Sequence, residues 1–259
     1  MRFFYNNLLD ASGVTFAGSS NKTTLPYSNV AHQLRQRVYS TNDLADTNCC
    51  ISWDLGAAQS PTSFIVCQHT NHNVGFVGSL LAGTGPMITT YPGVGTTTML
   101  SPTITTGTFG GTFSALSRRY WSWQFYKLSG AAEATIGRLF LGTYADTVEQ
   151  PDFDGWDSDP KDLSTQQRSR GGQIYSDIRS SFRTLRLDFS KIGETDKATI
   201  EAVATACGTH TSFFVQVDPS NSPLTEFLYV NFKSRPKFKV SAFDSELKYD
   251  TILELEEQL

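Results

Sequence analysis

Alternation with a period of two runs through much of this chain. The clearest case is "YWSWQFYKL" (120–128), which sets Trp121, Trp123 and Phe125 on one side and Ser122 and Gln124 on the other. That is the pattern of a half-buried strand. Upstream, "ISWDLG" (51–56) and "TSFIVCQHT" (62–70) are apolar runs separated by a turn containing Pro61, and "TIGRLFLGTYA" (135–145) closes the segment. Residues 83–112 are rich in Gly, Thr and Pro and poor in charge, which predicts long surface loops with small hairpins. From about 25 to 145 the chain therefore reads as a succession of short strands.

Residues 146–172 turn towards Asp, Ser, Gln and Arg and read as a polar linker. Beyond them "SFRTLRLDFSKI" (181–192) alternates again, with Leu185, Leu187 and Phe189 inward and Arg186 and Asp188 outward. One helix is predicted, over about 195–207. Ile200, Val203, Ala204 and Cys207 fall at i, i+3, i+4 and i+7, Thr195 is a suitable N-cap, and Gly208 stands where the helix should stop. Three strands follow in "TSFFVQVDP" (211–219), "EFLYVNFK" (226–233) and "KYDTILELEEQL" (248–259). The last alternates through Tyr249, Thr251, Leu253 and Leu255. Glu254, Glu256 and Glu257 on its outer face would discourage uncontrolled edge pairing. The organisation expected is a β-rich domain over 1–145, a polar linker or interface loop over 146–172, and a second β-domain with one helix over 173–259.

Composition narrows the class. The 259 residues are 39% hydrophobic and 18% charged, and 18 Phe, 10 Tyr and 4 Trp supply the bulk of a real core. A net charge of −4 argues against dedicated nucleic-acid binding, which favours a basic stripe. No run of 18 apolar residues is present, so no membrane-spanning helix is expected. "MRFFYNNLLD" lacks the apolar region of a secretion signal, and Cys49, Cys50, Cys67 and Cys207 show no CxxC spacing. A soluble protein folding in a reducing cytoplasm is the simplest expectation.

Candidate chemistry is thin. The acid-rich "PDFDGWDSDP" (151–160) carries Asp152, Asp154, Asp157 and Asp159, but a calcium loop needs a different Gly position and a terminal Glu. A solvated connector accounts for it better. Cys67 and His69 would share a strand face with His72 nearby, a zinc-like set that lacks a fourth local ligand. A strand ending in a polar loop explains the same residues. The chain has no GxSxG elbow, no HExxH helix and no Gly-Lys dipeptide for a Walker-type phosphate loop. No catalytic residue, cofactor or metal is expected, and the protein reads as a non-enzyme.

"STQQRSRGGQIY" (164–175) is of more interest. Arg168 and Arg170 are of a type favoured at protein interfaces, Gly171 and Gly172 admit close approach of another backbone, and Tyr175 follows. An ordinary solvent loop is the alternative. Tyr91 and Trp156 could be contact anchors or local packing.

Two resemblances meet on the chain. "ISWDLG", "TSFIVCQHTN", "RRYWSWQF" and "IGRLFLGTY" resemble a galactose-binding-like (discoidin-type) jelly roll, whose members often carry a "W..DLG" strand. The second half is similar to tail-tip ring proteins of long-tailed bacteriophages, the distal tail proteins and the lambda-type minor tail protein. The carriers are "IGRLFLGTY", a polar join, "STQQRSRGGQIYSDIRSSFRTLRLDFSKI", "DKATIEAVATACG", "SFFVQVDP" and a closing strand in "YDTILELEEQL". The resemblance implies a mainly β protein: a jelly-roll β-sandwich followed by a tail-tube-like β-domain with one α-helix. It implies a ring, typically sixfold, at the distal end of the tail tube, with the tube protein, hub or tip proteins and fibres as partners. The expected place is the virion's tail tip or baseplate, assembled in the host cytoplasm.

Ring closure requires heterologous contacts, for which Arg168, Arg170, Gly171, Gly172 and Tyr175 are the interface candidates. The alternative function is carbohydrate-binding adsorption through jelly-roll loops 83–95 and 105–117, where Tyr91, Phe109 and Phe113 would contact a host glycan.

Overall fold

The computed structural model describes residues 1–19, 22–33, 37–41, 48–69, 76–85, 96–102, 108–127, 133–152, 156–177, 181–219, 227–243 and 247–258. It is mainly β, and α1 below is the sole α-helix among these residues. The chain divides into two compact units. One holds residues 2–145 and 218–228, the other residue 1 with 146–217 and 229–259.

The strands up to the division are β1 (Arg2–Phe4), β2 (Thr15–Gly18), β3 (Tyr39–Ser40), β4 (Asn48–Gln59), β5 (Ser63–His69), β6 (Phe76–Gly83), β7 (Thr96–Leu100), β8 (Phe109–Thr112), β9 (Arg118–Lys127), β10 (Thr135–Gly142) and β11 (Tyr144–Asp146). A five-stranded sheet runs β2-β4-β9-β6-β7 and a four-stranded one β3-β10-β5-β8. A single core draws on both. Ile51, Trp53, Trp121, Trp123 and Phe125 come from the first sheet, and Phe64, Val66, Phe109, Leu139 and Leu141 from the second. Phe64 bridges the sheets, its ring centroid 6.3 Å from Trp53 and 5.1 Å from Trp123. The alternation predicted the strands, and the resemblance of the first half implied the sandwich. The half-buried reading of β9 needs correction, because Ser122 and Gln124 on its second face are buried as well. Ser122 meets Ser52 of β4 in a hydroxyl–hydroxyl hydrogen bond of 3.0 Å, which satisfies both polar groups away from water.

An ion pair with one buried partner lies in the same unit. Arg138 of β10, its side chain 2% exposed, donates from Nη2 to Asp10 Oδ2 at 2.6 Å. Its Nη1 donates to the Ala31 carbonyl. Asn7 secures the neighbourhood, donating to the Leu139 carbonyl at 2.9 Å and accepting from the Leu141 N–H at 3.0 Å.

The second unit contains β12 (Trp156–Asp162), β13 (Thr165–Arg168), β14 (Ile174–Asp177), β15 (Ser181–Ile192), α1 (Glu194–Cys207), β16 (Phe213–Gln216), β17 (Leu228–Phe232), β18 (Phe238–Phe243) and β19 (Leu247–Glu257). Its sheet runs β16-β17-β19-β15-β12, with β18 also pairing with β19. Leu185, Leu187 and Phe189 of β15 and Leu253 and Leu255 of β19 are buried, as their period predicted. So are Ile200, Val203, Ala204 and Cys207 of α1, which lies against β19. Lys197 of the helix places Nζ 4.6 Å from the centre of the Tyr249 ring. The helix ends at Gly208 with φ +57, but its N-cap is Gly193 and not Thr195. Gly193 supplies its carbonyl to the Lys197 N–H at 3.1 Å.

Two expectations are overturned here. β19 is no edge: β15 flanks it on one side and β17 and β18 on the other. Its glutamates serve cross-strand pairing, Glu257 accepting from Arg183 Nε at 3.0 Å and Glu254 standing opposite Arg186. The edge is β12, formed by "WDSDPKD" out of the expected linker. Pro160 is tolerated there because an edge strand has a free side where no N–H is needed.

The chain enters this unit through a carboxylate clamp. Asp196, buried in the first turn of α1, accepts the Val148 N–H at 2.8 Å and the Glu149 N–H at 3.0 Å. Replacing it with Ala strands two donors, and unfolding stability should fall by about 1–3 kcal/mol. Asp196→Asn, which keeps one acceptor oxygen, should lose less. Chemical denaturation of both variants checks the order.

Candidate interaction surface

β12 and β15 form one hairpin paired from Trp156↔Leu187 to Asp162↔Ser181. Past that rung the chain continues as a second ladder, β13 with β14, from Thr165↔Asp177 to Arg168↔Ile174. This distal part is a two-stranded sheet of its own. At about 3.3 Å per residue, the four paired residues of β13 span roughly 13 Å. Every residue of β13 and β14 is exposed. The hairpin is thus a projecting arm.

Local chemistry explains the arm's form. Asp162 Oδ1 accepts the Ser164 N–H at 2.8 Å, closing a turn at the base, and the hydrogen bonds from Ser164 hold its carboxyl below the usual carboxylate range. At the tip the Ser169 N–H donates to the Gln173 carbonyl at 2.8 Å, and the Gly172 N–H donates to the Ser169 carbonyl at 2.9 Å. Gly172 has φ +86, a conformation that any residue with a Cβ resists. Gly171 has no such constraint, and a methyl there would find only Ser169 Oγ at 3.9 Å.

Residues opposite one another share a face of the ribbon. Arg168 with Ile174 and Gln166 with Ser176 make one face; Gln167 with Tyr175 and Thr165 with Asp177 make the other. Each face therefore carries one large apolar side chain in water, Ile174 at 56% and Tyr175 at 60% exposure. Tyr175 is braced by its hydroxyl, which donates to Gln173 Oε1 at 3.0 Å.

The structure gathers Arg168, Arg170, Gly171, Gly172 and Tyr175 on this one element. Ile174 was not anticipated, although its place beside Tyr175 after a Gly-Gly pair is the signal that could have found it. The glycan candidates fare differently. Phe109 is 1% exposed, with its ring 5.8 Å from Trp123, so it fills the sandwich core and is no sugar platform. Phe113 is half-buried against Trp121 at 6.0 Å. Tyr91 lies outside the described residues.

The acid-rich stretch is dispersed. Asp152 accepts from Ser190 Oγ at 2.5 Å, Asp157 and Asp159 stand on β12, and Asp154 lies outside the described residues. Cys67 is buried and accepts from Thr108 Oγ1 at 3.3 Å, while His72 is outside the described residues. Among the described residues no group of three His, Cys, Asp or Glu is placed to hold a metal ion. None of their helices is long and apolar enough to cross a membrane.

The fold and its projecting arm define a mainly β protein of two units. No protein-family model matches the chain, and no curated protein matches it. Solved structures similar to it include chitosan-binding module 1 of a Paenibacillus sp. IK-5 chitosanase/glucanase, at 13% identity and TM-score 0.44, covering 54% of this chain and 99% of that one. The family 32 carbohydrate-binding module of Clostridium perfringens NanJ, in complex with galactose, gives 18% identity and TM-score 0.43, covering 56% of this chain and all of its own. A Ruminococcus gnavus GH29 fucosidase in complex with fucose gives 12% and 0.45, covering 54% of this chain and 27% of that one. At these scores the likeness decides neither ligand nor activity for this chain. It lends nothing to the tail-ring expectation.

Proposed function

We propose that this chain is a structural assembly protein, a subunit that closes into a ring at the distal end of a bacteriophage tail tube and contacts its neighbours through the β13–β14 arm. The observation that carries assembly is the arm itself. A lone two-stranded ribbon is marginally stable in water, and this one holds Ile174 and Tyr175 on opposite faces with nothing among the described residues to bury them. Covering a side chain of that size stabilises by about 1.5–3 kcal/mol, so a partner that grips both faces supplies what the isolated arm lacks. Assignment to a tail tip rests on the order of sequence motifs from "IGRLFLGTY" to "YDTILELEEQL". Tube, hub or tip proteins and fibres are the corresponding partners, in a virion assembled in the host cytoplasm.

The test is the mass of the purified protein in solution, by sedimentation or native mass spectrometry, alone and with tube and hub proteins. A closed ring is expected. Shortening the arm by replacing 165–177 with a tight turn should abolish the ring and leave the melting temperature nearly unchanged, because the deleted residues pack against no core. A shortened chain that still assembles overturns the proposal. A monomer indifferent to tube and hub but retained on immobilised host glycans would move the function to the sandwich, the carbohydrate-binding alternative.

A further inference from the structure

One face of the β15–β19 sheet carries a groove of about 520 Å³, within the size range of ligand pockets. Its floor includes Ile252, which points away from the buried Leu253 and stays 43% exposed. One wall is the stretch "RPKFK" (235–239), where exposed and half-buried residues alternate. Arg235, Lys237 and Lys239 are the exposed ones, and Pro236 and Phe238 are half-buried. Phe238 stands opposite the buried Thr251 and Lys239 opposite Asp250, so Lys237 and Lys239 share the groove side of the strand. Two residues of extended chain separate them, roughly 7 Å.

The carboxylates of the groove are already engaged. Asp188 accepts from Arg186 Nε at 3.1 Å, and Glu254 stands opposite the same Arg186. Asp250 accepts the Lys191 N–H at 2.9 Å, and that bond with a second from Ser241 holds its carboxyl below the usual range. The cations of the wall are not engaged in this way. Lys237 and Lys239 make no ion pair among the described residues, and Arg235 reaches Thr205 Oγ1 at 3.5 Å. Two ammonium groups beside an exposed Ile favour an acidic occupant and repel a basic one. Their spacing selects its form. Side chains at alternate positions of an extended segment fall on one face about 7 Å apart, so two such carboxylates match the two lysines.

We propose that this groove seats an extended acidic segment of a partner protein, with carboxylates at alternate positions on Lys237 and Lys239 and its backbone covering Ile252. The seat is separate from the arm and stands whether or not the arm assembles copies. The probe is the peptide Glu-Leu-Glu-Leu-Glu, blocked at both ends, titrated into the isotopically labelled full chain and followed by NMR. Its counterpart is Lys-Leu-Lys-Leu-Lys, blocked in the same way. Lys237→Gln and Lys239→Gln, singly and together, change exposed side chains and leave the core intact.

Saturating shifts of the Lys237 and Lys239 amides and the Ile252 methyls are expected with the acidic peptide and not with the basic one. Each lysine variant should weaken binding about two- to fivefold, the worth of an exposed ion pair, and added salt should weaken it too. Binding that the double variant leaves unchanged, or that the basic peptide matches, overturns the seat. So does the absence of any groove shift up to the solubility limit of the acidic peptide. Groove shifts that grow with the protein's own concentration, with no peptide added, would make the occupant a second copy and overturn the partner.

Discussion

Trp123→Ala should lower the unfolding free energy by about 3–5 kcal/mol, the range for deleting a large buried aromatic. Trp123 is buried at the centre of the sandwich, with Phe64, Phe109 and Phe125 at centroid distances of 5.1, 5.8 and 6.5 Å. Its indole also explains a glycine. A Cβ on Gly78 of β6 would stand 2.3 Å from Trp123 Cζ2, so the strand beside the indole is bare to admit it.

Gly78→Ala alone should therefore destabilise by about 1–3 kcal/mol through overpacking. In the Trp123→Ala background the same change should be harmless, because the collision is gone. Trp123→Phe should lose less than Trp123→Ala, since it keeps an aromatic ring in the site; both variants remove the indole Nε1, which is buried without a partner among the described residues. Denaturation of the four combinations measures the coupling. Equal penalties for Gly78→Ala in both backgrounds would overturn this account of the core.

Legibility of the fold followed burial. Where a strand faces a core on one side its period is written in the sequence, which is why 181–192 matches β15 from end to end and why Ile200, Val203, Ala204 and Cys207 locate the buried stripe of α1. β12 was opaque because an edge strand held by β15 needs no apolar face, so "WDSDPKD" reads as a connector. The arm was opaque for the same reason, since a ribbon with no core to face shows no alternation. What survived in the sequence was its exposed chemistry, Arg168, Arg170 and Tyr175.

Phe109 misled in the opposite direction. It opens "FGGT", whose glycines suggested a loop, but a Cβ on Gly110 would lie 2.4 Å from the Phe64 carbonyl oxygen. The glycines let β8 press against β5, and that close approach carries Phe109 into the core. Sequence neighbours could not reveal it, because Phe64 is 45 residues away in the chain.

Arg138→Met should be the second large loss, about 3 kcal/mol, because it removes the buried partner of a part-buried pair together with its bond to the Ala31 carbonyl and leaves the Asp10 charge uncompensated. The lower end of the usual 3–5 kcal/mol range applies because Asp10 retains 30% side-chain exposure. The pH dependence of that loss is diagnostic. Burial pushes the Asp10 carboxyl above its ordinary value of 3.8, and the Arg138 charge and hydrogen bond pull against the rise. Without Arg138 the carboxyl must rise further.

A carboxyl whose pKa is higher in the folded state than in the unfolded one gives folding its full contribution below the unfolded value, and loses it as pH climbs through the folded value. The deficit of Arg138→Met should thus be greatest at neutral pH and shrink on acidification through the Asp10 titration. His32 is also coupled to the Arg138 charge. Burial is the largest cause lowering its pKa, with the charges of Arg37 and Arg138 adding to it, so its loss of Arg138 shifts the balance in the same direction. Asp10→Asn separates the two. In that background the Arg138→Met deficit should be smaller at neutral pH, since no buried carboxylate is left unpaired, and any remaining acid-dependent recovery belongs to His32. A deficit that is flat with pH in the Asp10 background would mean that Arg138 acts by packing and by its bond to the Ala31 carbonyl, with the ion pair contributing little.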